Sequence, residues 1–178
     1  MRIHTCDSLK LSASVIAIGA FDGVHRGHQE LILNARRQAE SLQVPLVLYT
    51  FDPPPKVYFQ KVRLLTPLPE KLDRLSRLGA QHVVVAPFDS QYASREAGQF
   101  FDELQELNPK GIWIGSDFRF GINRTGNVDL LREQFSVHML ELVLCKSGEV
   151  ISSSRIRQLF NEANKLLGWN TDSVNGSP

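Results

Sequence analysis

Apolar residues follow two rhythms along this chain. Short continuous runs end in glycine, proline or aspartate, and longer stretches repeat their apolar positions every three or four residues. Ser14-Val15-Ile16-Ala17-Ile18, ending at Gly19, reads as a buried strand. From Gly27 to about Leu42 the residues Leu31, Ile32, Ala35 and Ala39 recur at helical spacing. Val44 to Phe51 predicts the next strand. It runs into Asp52-Pro53-Pro54-Pro55, where consecutive prolines are expected to stop ladder and helix alike. A helix follows from Pro67 to Leu78, closed by Gly79, and then a strand from His82 to Ala86. Ser94 is placed to cap a helix reaching Leu107, which Asn108-Pro109 ends. Gly111 to Gly115 holds a fourth strand, Val137 to Leu144 a fifth, with a short helix from Val128 to Gln134 between them. A last helix runs from Ser152 to about Leu167, and the polar residues 169–178 form a tail expected to fray.

Five strands alternating with helices predict an α/β fold with a parallel sheet covered on both faces. Ligands of such sheets bind beyond the carboxyl ends of the strands, near the switch in strand order. The loops Gly19–His28, Phe51–Thr66, Gly115–Gly126 and Lys146–Arg157 lie at those ends.

Composition narrows the function classes. The chain has 178 residues with 20 Lys+Arg against 19 Asp+Glu, so a basic nucleic-acid coat is not expected. The two cysteines, Cys6 and Cys145, could form one bridge, but two free thiols in a reducing cytosol are the expectation. They are too few for a disulfide framework or a zinc cluster. There is no signal-peptide core and no apolar run of the ~20 residues that cross a membrane, so a cytoplasmic location is expected. No heptad repeat appears, and the oligomeric state stays open.

Four segments could carry chemistry. In Gly19-Ala20-Phe21-Asp22-Gly23-Val24-His25-Arg26-Gly27-His28, a glycine-rich turn joins a strand to a helix. Free N–H groups at the helix start make an anion site there. His25 and His28, three apart, can face that site together and stabilise a charged phosphoryl transition state. The bland alternative is a turn with two exposed histidines, and a metal pair lacks further ligands at suitable spacing. Ser152-Ser153-Ser154-Arg155-Ile156-Arg157 opens the last helix. Its hydroxyls and N–H groups can hold phosphate, with Arg157 one turn on from Ser153; an ordinary serine cap with solvated arginines is the alternative. Gly115-Ser116-Asp117-Phe118-Arg119-Phe120-Gly121 offers either a stacking wall for a planar ring or a hydrophobic plug. The proline turn after Phe51 can shape a pocket wall.

Together these segments resemble the HxGH nucleotidylyltransferase superfamily, and more narrowly the N-terminal FMN adenylyltransferase domain of bacterial bifunctional riboflavin kinase/FAD synthetases. The likeness covers about residues 14–168 and includes Leu65-Thr66, Glu70-Lys71-Leu72 and Pro87-Phe88-Asp89. It implies a Rossmann-like fold and the reaction of FMN with ATP, as its Mg²⁺ complex, to give FAD and pyrophosphate. On that likeness His25, His28 and Arg157 would be catalytic. Gly19, Phe21, Asp22, Gly23, Gly27, Asp117, Ser152 and Ser153 would join them in binding ATP, and Pro54, Phe118 and Phe120 would bind flavin. No protein-held metal site is implied. Three positions depart from the family pattern. Pro54 stands where a histidine is usual, Ser154 where a threonine is, and Asn127 where an acidic residue is common. The kinase half has no counterpart in this sequence, so residues 1–168 are expected to be one transferase domain fed with FMN by a separate riboflavin kinase. The alternatives are an adenylyl- or cytidylyltransferase for another phosphorylated acceptor, or a flavin- or nucleotide-binding protein with little turnover.

Overall fold

The computed structural model describes residues 1–167, so the polar tail expected over 169–178 lies outside the described residues. One parallel sheet of six strands organises the chain, in the order β1-β4-β3-β2-β5-β6. The strands are β1 (Arg2–His4), β2 (Ser14–Ile18), β3 (Leu46–Asp52), β4 (His82–Pro87), β5 (Pro109–Gly115) and β6 (Val137–Leu140). This is the doubly wound α/β arrangement expected, with one strand more. β1 is three residues long and lies at the sheet edge, too short for any periodicity to announce it. β6 stops at Leu140, short of the Leu144 expected.

β2 lies at the centre, fully buried, and its alternate residues feed two cores. Val15 and Ala17 meet Leu46, Leu48 and Val83 under helix α1 (Arg26–Leu42), which contributes Leu31, Ile32, Ala35 and Ala39, and under Leu75 of α3 (Leu68–Ser76). Ile16 and Ile18 meet Val47, Tyr49, Ile112 and Ile114 on the other face. That face is covered by Phe100, Phe101 and Leu104 of α5 (Ala97–Glu106) and Leu131 of α6 (Val128–Arg132). A buried polar set fastens the second face. The Tyr49 hydroxyl donates to Glu103, which also pairs with Arg95, and the Tyr92 hydroxyl lies 2.9 Å from that of Tyr49.

Other boundaries also differ from expectation. The proline run does not exclude a helix: Pro55 opens α2 (Pro55–Gln60), because a missing N–H costs nothing in a first turn. Ser94 ends the short α4 (Ser90–Ala93), and Glu96 with Gln99 forms the capping box that starts α5. Strand β3 starts at Leu46, two residues after the apolar run does.

Candidate active site

The order switches between β2 and β5, and the loops after both strands open there. The turn after β2 is held in an unusual shape. Phe21 and Val24 have φ of 49° and 42°, and Gly23 has 85°. Left-handed backbone is rare for a β-branched residue such as Val24, so its surroundings must impose it. Asp22, 2% exposed, is the fastener. Its Oδ1 accepts from the backbone N–H groups of Leu65 and Thr66 at 3.0 and 3.1 Å, and its Oδ2 pairs with Arg157.

His25 caps α1: its Nδ1 accepts from the His28 N–H at 3.4 Å, which leaves the proton on Nε2. The His25 and His28 rings stack with centroids 3.6 Å apart. His28 also stands edge-on to Phe21, and its buried Nδ1 has no hydrogen-bond partner. Burial lowers the pKa of His25 to about 4 and that of His28 well below its usual value, with the His25 ring adding to the second shift. Both imidazoles are neutral at pH 7 and can each donate one N–H.

The start of α7 (Ser153–Leu166) packs against this turn. A Cβ on Gly27 would meet the His25 ring at 3.3 Å and the Ile151 carbonyl at 3.5 Å, so the missing side chain lets the two helix starts approach. The Ser153 hydroxyl donates to the Asp22 carbonyl at 2.8 Å, and Ser152 caps the helix by accepting from the Arg155 N–H. Arg157, 9% exposed, donates from Nε to the Arg63 carbonyl at 2.7 Å besides pairing with Asp22. The structure therefore brings Gly19, Phe21, Asp22, Gly23, His25, Gly27, His28, Ser152, Ser153 and Arg157 together where the starts of α1 and α7 meet, the candidate cleft. It gives three of them work the sequence did not suggest. Asp22, Ser153 and Arg157 spend hydrogen bonds on holding the two loops together.

Other residues stand apart from that cluster. Asp117 is exposed on the loop after β5, and among the described residues no hydrogen bond or ion pair ties it to the histidine turn. Phe120, 8% exposed, packs on Phe100 and Phe101 in the core, so it is the plug of the two readings; Phe118, stacked on it at 5.7 Å, is only half-buried. Pro54 is buried at the N-cap of α2. Beside it Tyr58, Phe59 and Phe88 form an aromatic group with centroids 5.1–5.7 Å apart, and Phe59 is 63% exposed. The apolar aromatic pair after the prolines was the signal for it in the sequence.

A family signature described as FAD synthetase matches residues 7–155. The chain belongs to the FAD synthetase family. It is 49% identical over 175 residues to a Geobacillus thermodenitrificans protein named, provisionally, as a bifunctional riboflavin kinase/FMN adenylyltransferase. That match covers 95% of this chain and 98% of the relative. The Escherichia coli K12 bifunctional riboflavin kinase/FMN adenylyltransferase is 31% identical over 99% of this chain, which spans 58% of its length. A crystal structure described as a macrolide-efflux protein from Streptococcus pneumoniae superposes with a TM-score of 0.76 at 33% identity. It matches 95% of this chain and 62% of its own. Membership places the chain among nucleotidyltransferases of the FMN adenylyltransferase type. No helix among the described residues is long and apolar enough to cross a membrane.

Proposed function

We propose that this FAD synthetase domain transfers the adenylyl group of ATP to FMN, releasing FAD and pyrophosphate. An oxygen of the FMN phosphate attacks the α-phosphorus of ATP in line. One P–O bond forms to FMN as the bond to the leaving pyrophosphate breaks, and no protein nucleophile takes part. The protein's share is positioning and charge stabilisation. The observation that carries this reading is the meeting of two helix starts, α1 and α7, beside two neutral stacked imidazoles. Backbone N–H groups and the Nε2–H of His25 would donate to phosphate oxygens. The Ser152 hydroxyl, an acceptor in its cap, keeps its own proton for the same use. Arg157 keeps N–H groups beyond the two already engaged. Flavin would lie against Phe118 and the exposed face of Phe59.

Both Asp22 oxygens are engaged, and among the described residues no three His, Cys, Asp or Glu side chains converge as ligands. Mg²⁺ would arrive with ATP, held by phosphate oxygens and water. FMN would come from a riboflavin kinase site outside these residues, and ATP and FMN as substrates favour the cytoplasm. The alternative acceptor reading rests on one observation: buried Pro54 replaces the histidine of the family pattern, which removes an imidazole from the acceptor side.

Incubation with MgATP and FMN, and separately with nicotinamide mononucleotide or phosphopantetheine, tests the assignment. FAD with stoichiometric pyrophosphate is expected only from FMN; its absence sinks the proposal, and pyrophosphate release with another acceptor supports the alternative. His28→Ala is expected to lower kcat by ~10²–10³-fold with an unchanged circular dichroism spectrum.

A further inference from the structure

Lys71 has no part in the chemistry above. It lies on α3 and is 1% exposed. Its ammonium donates to the Phe51 carbonyl at 2.8 Å and lies 3.4 Å from the Ala20 carbonyl and the Thr50 hydroxyl oxygen. Thr50 in turn donates to the Ala20 carbonyl at 3.1 Å. These oxygens sit at the carboxyl ends of β2 and β3, and Ala20 directly precedes Phe21 in the histidine turn.

All three near oxygens are neutral. Among the described residues no carboxylate pairs with Lys71: Asp22 and Asp52 act on it only at longer range, and Asp22 is already matched by Arg157. Burial disfavours the ammonium. A neutral donor could satisfy one or two of these oxygens without the desolvation cost of a charge. Fastening strand ends therefore explains the hydrogen bonds and leaves the charge without a purpose. The cleft supplies one. Through the Ala20 carbonyl, 3.4 Å away, the ammonium lies against the residue that precedes the histidine turn. A polyphosphate bound at the two helix starts would be the counter-ion that the fold itself omits.

We propose that Lys71 is a positioning residue that fixes the carboxyl ends of β2 and β3 and holds a positive charge with no ion-pair contact beside the histidine turn, selecting for polyphosphate ligands. This rests on the cleft's being the phosphate site. The test uses inorganic pyrophosphate as the probe, by calorimetry across a range of salt concentrations, with Lys71→Gln, Lys71→Met and Lys71→Arg beside the unaltered chain. The two neutral variants are expected to bind pyrophosphate about 10–30-fold more weakly and with a shallower salt dependence. Lys71→Arg is expected to retain most of the affinity even where its melting temperature falls. A purely structural role would make affinity follow melting temperature in all three. Equal binding by folded Lys71→Gln or Lys71→Met overturns the inference. A second measurement needs no variant. The titratable groups that face it are the neutral His28 from α1 and the carboxylates Asp22 from the turn and Asp52 from β3. With these unchanged, the Lys71 side-chain carbon resonance is expected to titrate at higher pH once pyrophosphate is bound, and an unmoved midpoint overturns the inference. Loss of affinity in the neutral variants without FAD formation by the unaltered chain would defeat the proposed reaction and leave this inference standing.

Discussion

Two imidazoles 3.6 Å apart cannot both carry charge without mutual repulsion, and burial already opposes charging either. His25 protonates near pH 6.5 when unfolded and at about 4 in the native chain. Its native pKa is depressed, so below pH 6.5 the unfolded state takes up a proton that the native state refuses. Stability is therefore expected to fall from pH 6.5 toward 4, by about 2–3 kcal/mol for this residue, and then to level. Urea unfolding at pH 7 and pH 5 checks this, and His25→Gln is expected to flatten the difference. Saturating pyrophosphate should shrink it too, because an anion favours the imidazolium. The histidines were legible in the sequence because glycine, spacing and a strand-to-helix turn all agree there. Lys71 entered only as part of the family likeness and was given no role, although it stands in the apolar stripe of its helix with Leu68, Leu72 and Leu75. A charged residue at a core position of a helix was the available signal. The burial of Phe120 depends on Phe100 and Phe101 from a distant helix, which no local pattern carries.

At the scale of elements, α7 differs from the other long helices. Among its residues only Arg157 is buried, whereas α1 buries four apolar side chains. It is held to the body by polar contacts: Arg157 to Asp22 and Arg63, Ser153 to the Asp22 carbonyl, and Lys56 to the Ser154 hydroxyl at 2.7 Å. Arg157→Met leaves a buried carboxylate without its partner and is expected to cost about 3–5 kcal/mol in chemical denaturation. Asp22→Asn combined with it should recover most of that loss, and the double-mutant cycle measures the coupling. Additive losses would mean that the pair does not act as a unit. The helix itself was legible from its serine cap and spacing. Its mode of attachment was not, because Asp22 and Arg157 are far apart in sequence and their types say nothing of pairing.

For the whole molecule, strand and helix order were legible because both sheet faces are buried and the central strands read as unbroken apolar runs. The edge was not: β1 offers three residues, two of them exposed, and joins the sheet only through pairing with β4. Both hydrophobic cores are complete by Leu140. A chain stopped before Ser152 is therefore expected to keep its far-ultraviolet circular dichroism and a cooperative melt, at lower temperature, while losing calorimetric binding of pyrophosphate. Retained binding would mean that the α7 start adds nothing to the cleft.

The Asp22–Arg157 pair spans 135 positions of the chain. A ribosome has built the whole sheet before it adds the arginine that steadies the first turn. Until that arginine is made, the carboxylate of the first turn has no ion-pair partner, so the turn's final fastening is a late, long-range contact rather than a local one.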